Sequence, residues 1–324
     1  MKSLQLTAFG RPAASVKLAD TDSRPVGRGE LRVAVEAAPL NPSDFLLITG
    51  NYGLRPELPS AIGQEGVGLV VEVGDDVAAS RVGERVVLSG LGTWAEEIVI
   101  DQAEAVPVTT DADPLQLAML AINPVTAYGL LHGFGDLKPS DWVLQTGGNS
   151  AVSGNVISLA KHYGYRTLSV VRRPEAASAV TDLGGDAVVV ADDNLAENVR
   201  KALDGDQAAL LLDPIGGPVT SELAKGLRTG GTVVLYGGMS GQPVTLSPLD
   251  LIFRRLSLRG FWLGHWRRET PATDQARAFQ DLADLVVKGA ISAPVEATYQ
   301  LDAFADAFAH AHRSERSGKI LFRP

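Results

Sequence analysis

In the first third of the chain, apolar positions alternate with polar ones in short runs broken by Gly, Pro or Asp. A period of two predicts half-buried strands. Leu31–Ala37 (LRVAVEA) is one. Gly68–Val73 is another, closed by the turn residues Gly74, Asp75 and Asp76. Arg85–Leu88 and Ala95–Ile100 follow. Strands in succession between turn residues predict a compact β-rich domain.

The pattern changes near Asp113. Leu115–Leu120 and Ala127–Leu131 are helical in composition. Nearly continuous apolar strands then alternate with amphipathic helices. The strands are Trp142–Thr146, Arg166–Val171, Ala187–Ala191, Ala208–Asp213 and Thr232–Tyr236, with Leu256–Trp262 as a sixth. The helices are Ser150–Tyr163, Pro174–Leu183, Leu195–Leu203 and Val219–Leu227. This is the signature of a doubly wound parallel sheet covered on both faces. The tail returns to mixed structure: a helix over Thr273–Lys288, a strand over Val295–Gln300, a helix over Asp302–His312 and a strand over Gly318–Phe322. The layout is an α/β nucleotide-type domain inserted between two parts of a β-rich domain. The joins place residues 1–117 in the first part, 118–262 in the insert and 263–324 in the second part.

Composition narrows the chemistry. At 324 residues, 45% apolar and 21% charged, the chain is of ordinary globular make-up and can bury a large core. It has no cysteine, which excludes disulfides, thiolate metal sites and Cys nucleophiles. A net charge of -9 argues against a nucleic-acid partner. The start, MKSLQLTAFGRP, lacks a long apolar segment, so no signal peptide is expected. No apolar run is long enough for a membrane span. The expected location is the cytoplasm.

Val143–Val156 reads VLQTGGNSAVSGNV: a strand, a loop of small residues and a helix start. In a doubly wound fold this is where backbone N–H groups meet a pyrophosphate. The stretch lacks the Gly-Lys-Ser/Thr of a Walker loop and the G-x-S-x-G of a hydrolase elbow. A plain strand-to-helix turn is the alternative. The next strand ends in Arg172-Arg173, where an NAD-binding unit would carry an acidic residue for the ribose 2′-OH. Guanidinium groups suit a 2′-phosphate instead, so the cofactor predicted is NADP(H). A merely solvated pair is the alternative. Tyr236-Gly237-Gly238-Met239 follows a strand and falls at the same sheet edge.

These blocks together resemble the medium-chain dehydrogenase/reductase superfamily. Within it they resemble the zinc-free, mitochondrial-type reductases of trans-2-enoyl-CoA or enoyl-acyl-carrier-protein. The resemblance is carried by Asn41-Pro-Ser-Asp44, Gly50-Asn-Tyr-Gly53 with Pro56-Glu-Leu-Pro59, Gly63-Gln-Glu-Gly-Val67, Leu91-Gly-Thr-Trp94 and Asn123-Pro-Val-Thr-Ala-Tyr128. Asn149-Ser150, Tyr236–Met239 and Arg259-Gly-Phe-Trp-Leu263 with Trp266 complete it. It covers essentially the whole chain. It implies a Rossmann-type doubly wound parallel sheet inserted in a β-rich, GroES-like catalytic domain. Asp44 and Gln64 stand near the places where zinc-dependent relatives have Cys and His, so no catalytic metal is expected. Ser153 replaces the family's usual glycine.

The resemblance also implies site roles. Tyr52 would present its hydroxyl to the enolate formed when hydride reaches the β-carbon of the thioester; a phenol is neutral at pH 7 and can donate. A loop tyrosine packed under its neighbours is the plain alternative. Asn123 and Thr126 would lie at the nicotinamide. Asn149, Ser150, Ala151 and Val152 would meet the pyrophosphate, and Arg172 and Arg173 the 2′-phosphate. Tyr236, Gly237, Gly238, Met239, Phe261, Trp262 and Leu263 would line the cofactor, with Phe261, Trp262 and Trp266 forming the acyl pocket, or simply core. Lys319 would be a C-terminal cofactor contact. Arg254, Arg255, Arg267 and Arg268 could meet a CoA phosphate or an acidic carrier protein, or form a solvated face. The activity implied is NADPH-dependent reduction of 2-enoyl thioesters by a homodimer. The alternatives are a zinc-free quinone or general alkene reductase, and a cofactor-binding protein without turnover.

Overall fold

The computed structural model describes residues 1–20, 22–108, 112–313 and 318–324. Two compact units divide the chain, one of residues 1–122 and 272–324 and the other of residues 123–271. The sequence pattern placed the joins at 117/118 and 262/263. The second join lies later in the fold because the helix Leu263–Glu269 packs on the helix Asn123–His132 within one unit.

The first unit opens with β1 (Lys2–Leu6), the short helix α1 (Pro12–Ser15), β2 (Val16–Asp20) and the long β3 (Glu30–Pro39). Helix α2 (Pro42–Thr49) follows, an element not predicted from the sequence. Proline sits in its first turn, the Asp44 carboxylate accepts from the Asn41 N–H at 2.7 Å, and Gly50 closes the helix in the left-handed region at φ 77°. These are strong start and stop devices. Next come β4 (Ser60–Ala61), β5 (Gly66–Val73), β6 (Arg85–Leu88), β7 (Glu97–Asp101), β8 (Ala105–Pro107) and α3 (Pro114–Leu117).

The second unit comprises α4 (Asn123–His132), β9 (Trp142–Gln145), α5 (Ala151–Tyr163), β10 (Arg166–Val171), α6 (Ala177–Asp182), β11 (Ala187–Val190), α7 (Leu195–Ala202), β12 (Ala208–Asp213) and α8 (Pro218–Ala224). It continues through β13 (Leu227–Leu235), α9 (Pro248–Ile252), β14 (Ser257–Gly260) and α10 (Leu263–Glu269). The chain then returns to the first unit as α11 (Ala272–Val287), β15 (Val295–Tyr299), α12 (Phe304–Ala311) and β16 (Lys319–Phe322).

In the first unit β2-β1-β4 form one sheet, and β15-β16-β3-β5-β6-β8 form another, with β7 also pairing β3. The C-terminal strand β16 runs antiparallel to β3, Leu321 opposite Pro39, which ties the two chain segments into one core. Trp94 lies at its centre, with its ring near Phe308 and Phe322 and its indole N–H donating to the Pro39 carbonyl.

The second unit is a six-stranded parallel sheet in the order β11-β10-β9-β12-β13-β14. Counted within the unit this is 3-2-1-4-5-6, the doubly wound order whose ligands gather at the carboxyl edge. Register aligns that edge: Gln145 lies opposite Ser169 on one side and Leu212 on the other. β9 and β12 are buried at every residue, as their continuous apolar runs require. β14 is exposed at every residue, shorter than the predicted Leu256–Trp262, and forms the open edge. Trp262 instead caps α10.

Candidate functional site

Every predicted nucleotide residue of the second unit except Asn123 and Thr126 follows the carboxyl end of a parallel strand. Asn149–Val152 lie at the start of α5 after β9, and Arg172 and Arg173 follow β10. Tyr236–Met239 follow β13, and Phe261–Leu263 follow β14. Chain order scatters them; the register of the sheet brings them to one edge.

The glycine loop is built for close backbone approach. Gly147 adopts φ 60°, which a side chain would resist. A Cβ on Gly148 would stand 2.7 Å from the Ser169 Cβ, and one on Gly237 would stand 2.6 Å from the Pro214 carbonyl. Ser150 is the N-cap of α5: its hydroxyl accepts from the Ser153 N–H and donates to the Ser153 Oγ at 3.0 Å. That hydroxyl therefore serves the helix end first. Ser153 is buried, and its hydroxyl donates to the Thr146 carbonyl at 3.3 Å, so the serine in the glycine position is hydrogen-bonded, not merely tolerated. The Tyr236 hydroxyl is buried beside Ser150 and Ser153 without a completed hydrogen bond to either. Burial pushes its pKa up to about 12, offset in part by the two serines. It is a neutral donor at any working pH, directed at the N-terminus of α5.

One organiser of this edge was not singled out from the sequence. Asp213, fully buried at the end of β12, accepts from the Thr146 hydroxyl (2.6 Å), the Ile215 N–H (2.8 Å), the Gly216 N–H (3.1 Å) and the Thr220 hydroxyl (2.5 Å). The loop it shapes receives the Met239 N–H on Pro214 and the Ser240 N–H on Ile215. The available signal was an apolar strand ending in Asp-Pro followed by two glycines.

The aromatic residues are divided in role. A Cβ on Gly129 would meet the Phe261 ring at 2.8 Å and Trp266 at 3.3 Å, so both pack tightly on α4. Trp262 stands outside that contact, with the Arg268 guanidinium over its ring at 5.2 Å. Asn123 and Thr126 are buried in the first turns of α4. Arg254 is committed to the fold: it pairs with Asp250 at 2.8 Å and donates to the carbonyls of Lys225 and Leu227.

In the first unit, Tyr52 follows the C-cap of α2, and its half-buried ring packs on the core that also holds Phe9 and Phe45. Gly50 has a second reason to be glycine, since a Cβ there would press on the Phe9 ring at 3.3 Å. Lys319 opens β16 and donates to the Asn41 Oδ1 at 2.5 Å; Ser317 of the same motif lies outside the described residues. Around Asn41 lies a buried polar cluster. The Asn41 Nδ2 donates to Glu65 Oε1 at 2.7 Å, the Ile122 N–H donates to Glu65 Oε2 at 2.8 Å, and the Gln64 amide donates to Asp44 Oδ1 at 3.1 Å. Desolvation pushes the Asp44 pKa up to about 7, helped by the charge of Glu65 and opposed by the Asn41 N–H, Gln64 and Lys319.

A parallel sheet with a glycine loop and paired arginines at its carboxyl edge, inserted in chain order between the two segments of a β-rich unit, defines the class as a dehydrogenase with a nicotinamide-nucleotide site. Residues 27–110 match the alcohol dehydrogenase GroES-like domain, and residues 151–278 match the zinc-binding dehydrogenase family. The mitochondrial enoyl-[acyl-carrier-protein] reductase of Bos taurus is 39% identical over 301 residues, covering 91% of this chain and 81% of the relative. That of Xenopus tropicalis is 38% identical over 317 residues, covering 94% and 90%. Among solved structures, one described as a putative NADPH:quinone reductase from Bacillus thuringiensis superposes with a TM-score of 0.93 at 29% identity, covering 100% of this chain and 98% of that one. A mycobacterial structure described as complexed with NADPH gives a TM-score of 0.87 at 26% identity, with full coverage of both chains. The protein is an enzyme of the medium-chain dehydrogenase/reductase superfamily and, within it, belongs to the family of the enoyl-[acyl-carrier-protein] reductases.

The zinc in one family's description does not suit these residues. Gln64 presents its amide nitrogen, not a lone pair, to Asp44, and Lys319 brings a positive charge into the same cluster. A nicotinamide dinucleotide does suit the second unit, given the glycine cradle, the helix N-terminus and the buried donor of Tyr236.

Proposed function

We propose that the protein reduces the C=C bond of 2-enoyl thioesters, carried on CoA or on acyl carrier protein, with NADPH. The similarity of nearly the whole chain to enoyl-[acyl-carrier-protein] reductases carries this reading. The glycine loop, Ser150, Ala151 and the Tyr236 hydroxyl bind the pyrophosphate. Arg172 and Arg173 hold the 2′-phosphate through charge-assisted hydrogen bonds. NADPH supplies the hydride for the β-carbon. Asn123, Thr126 and Lys319 orient the cofactor. Trp262, with Phe261 and Trp266 behind it, offers apolar surface to the acyl chain. Tyr52 donates to the developing enolate oxygen, where a preorganised donor counts most.

A second reading, reduction of quinones, is favoured by the structural relative with a TM-score of 0.93. The two separate in one assay. NADPH oxidation is followed with crotonyl-CoA, trans-2-hexenoyl-CoA and a quinone, for the wild type and Tyr52→Phe. Enoyl turnover that falls about 100-fold or more in the variant is expected. Turnover of the quinone alone, or indifference to the substitution, would replace the enoyl reading with the quinone one.

The reading extends to a cytoplasmic homodimer joined through β14. That strand presents an unpaired parallel edge, and beside it Leu249, Ile252 and Phe253 are more than half exposed. Phe253→Glu with Leu258→Lys should give a monomer in sedimentation at micromolar concentration. A dimer that persists in the variant would exclude this edge, and a monomeric wild type would exclude the dimer.

A further inference from the structure

Glu65 is fully buried, and so are its neighbours Asn41 and Asp44. A buried carboxylate is strongly disfavoured unless donors and a positive charge compensate it. The Asn41 amide and the Ile122 N–H, both neutral, donate to Glu65. Positive charge arrives through Asn41, whose Oδ1 accepts from the Lys319 ammonium. We propose that Glu65 is a positioning residue that sets the aim and the charge of Lys319 through the Asn41 carboxamide. This rests on the reading above that Lys319 contacts the cofactor.

The chemistry of the three groups makes the arrangement directional. A carboxylate only accepts, an ammonium only donates, and a carboxamide has one end of each kind. With Glu65 ionised and Lys319 protonated, Asn41 has one allowed orientation: NH2 toward Glu65 and carbonyl toward Lys319. The flipped amide would set oxygen against oxygen and hydrogen against hydrogen. Asn41 is itself held, because its backbone N–H is bound by Asp44 at the start of α2. One proton of this four-carbon side chain is thereby anchored, and the ammonium has a reason to stay charged. Both charges are also felt at Asp44, which Glu65 pushes up and Lys319 pulls down.

Glu65→Gln keeps the shape and removes the constraint, since a glutamine can offer Asn41 either end. Asn41→Ala removes the relay and keeps the carboxylate, and stands in should Glu65→Gln fail to melt cooperatively. Lys319 is read without cofactor by trace acetylation at neutral pH, peptide by peptide in a mass spectrometer. Its rate should rise about tenfold in either variant as the ammonium loses its bias, with the other lysines unchanged. NADPH binding, followed by fluorescence, should weaken about tenfold. In a Lys319→Met background, Glu65→Gln should weaken it no further, because the effect passes through that lysine. An unchanged Lys319 rate in the variants, or an undiminished effect of Glu65→Gln in the Lys319→Met background, would overturn the proposal. Lys319→Met binding NADPH like the wild type would instead overturn the cofactor contact, and the acetylation rates would then judge the relay alone.

Discussion

Asp44 shows how one residue's surroundings reverse its ordinary behaviour. Its ordinary pKa is 3.8 and burial raises it to about 7. Below 3.8 the carboxyl is protonated in both folded and unfolded chains, and its titration costs nothing. As pH rises from there, the unfolded chain ionises first, so stability falls until about pH 7 and is then level. The span corresponds to roughly 4 kcal/mol at about 1.4 kcal/mol per pH unit. Asp44→Asn keeps an acceptor for the Asn41 N–H and removes the titration. Its melting temperature should exceed that of the wild type at pH 8, and the difference should shrink steadily toward pH 4. A constant difference across that range would show that Asp44 does not titrate in this way. Asp213 is also buried, and four donors reach its side chain. Asp213→Asn should lower stability by about 2 kcal/mol through weaker hydrogen bonds, seen as a lower urea midpoint with an unchanged slope.

Among the elements, the apolar runs located the first four strands of the parallel sheet to within a residue, because burial on both faces leaves little ambiguity, while the fifth begins at Leu227, five residues before the expected Thr232. The same signal overextended the sixth strand. Ser257–Gly260 lies at an open edge and is exposed, and only Leu258 among its four residues is a large apolar one. Helix α2 was not assigned from the sequence, because at eight residues it is short and its strongest marks are its capping residues, not an apolar period. Helix α10 was missed because its face is set by packing against Gly129, a contact far away in sequence. Pro174–Leu183 was expected as one helix and is a 3₁₀ turn, Pro174–Ala176, followed by α6. In the candidate site, the place of Arg172 and Arg173 just after β10 was legible because they follow a strand that the glycine loop precedes at short range. Asp213 was not, because the Thr146 hydroxyl, 67 positions away in sequence, reaches it only when β9 and β12 pair.

The whole molecule carries a net charge of -9, so an anionic cofactor must be drawn by local charge against an unfavourable overall field. The paired arginines are the local answer on the proposed reading. Arg172→Ala with Arg173→Ala should weaken NADPH binding about 100-fold and leave NADH nearly unchanged, measured by fluorescence titration at fixed salt. Equal losses for both nucleotides would move the arginines away from the 2′-phosphate. The sequence by itself determined the class of each unit, the glycine loop and the pair of arginines, since these depend on spacing within short segments. Long-range packing decided the rest: the Thr146 hydroxyl on Asp213, the fit of Phe261 and Trp266 on Gly129, and the meeting of Asn41, Glu65 and Lys319. Lys319 reaches Asn41 because β16 pairs with β3, across 278 positions of chain. Local patterning constrains which faces are buried, but only the pairing of strands decides which buried groups meet.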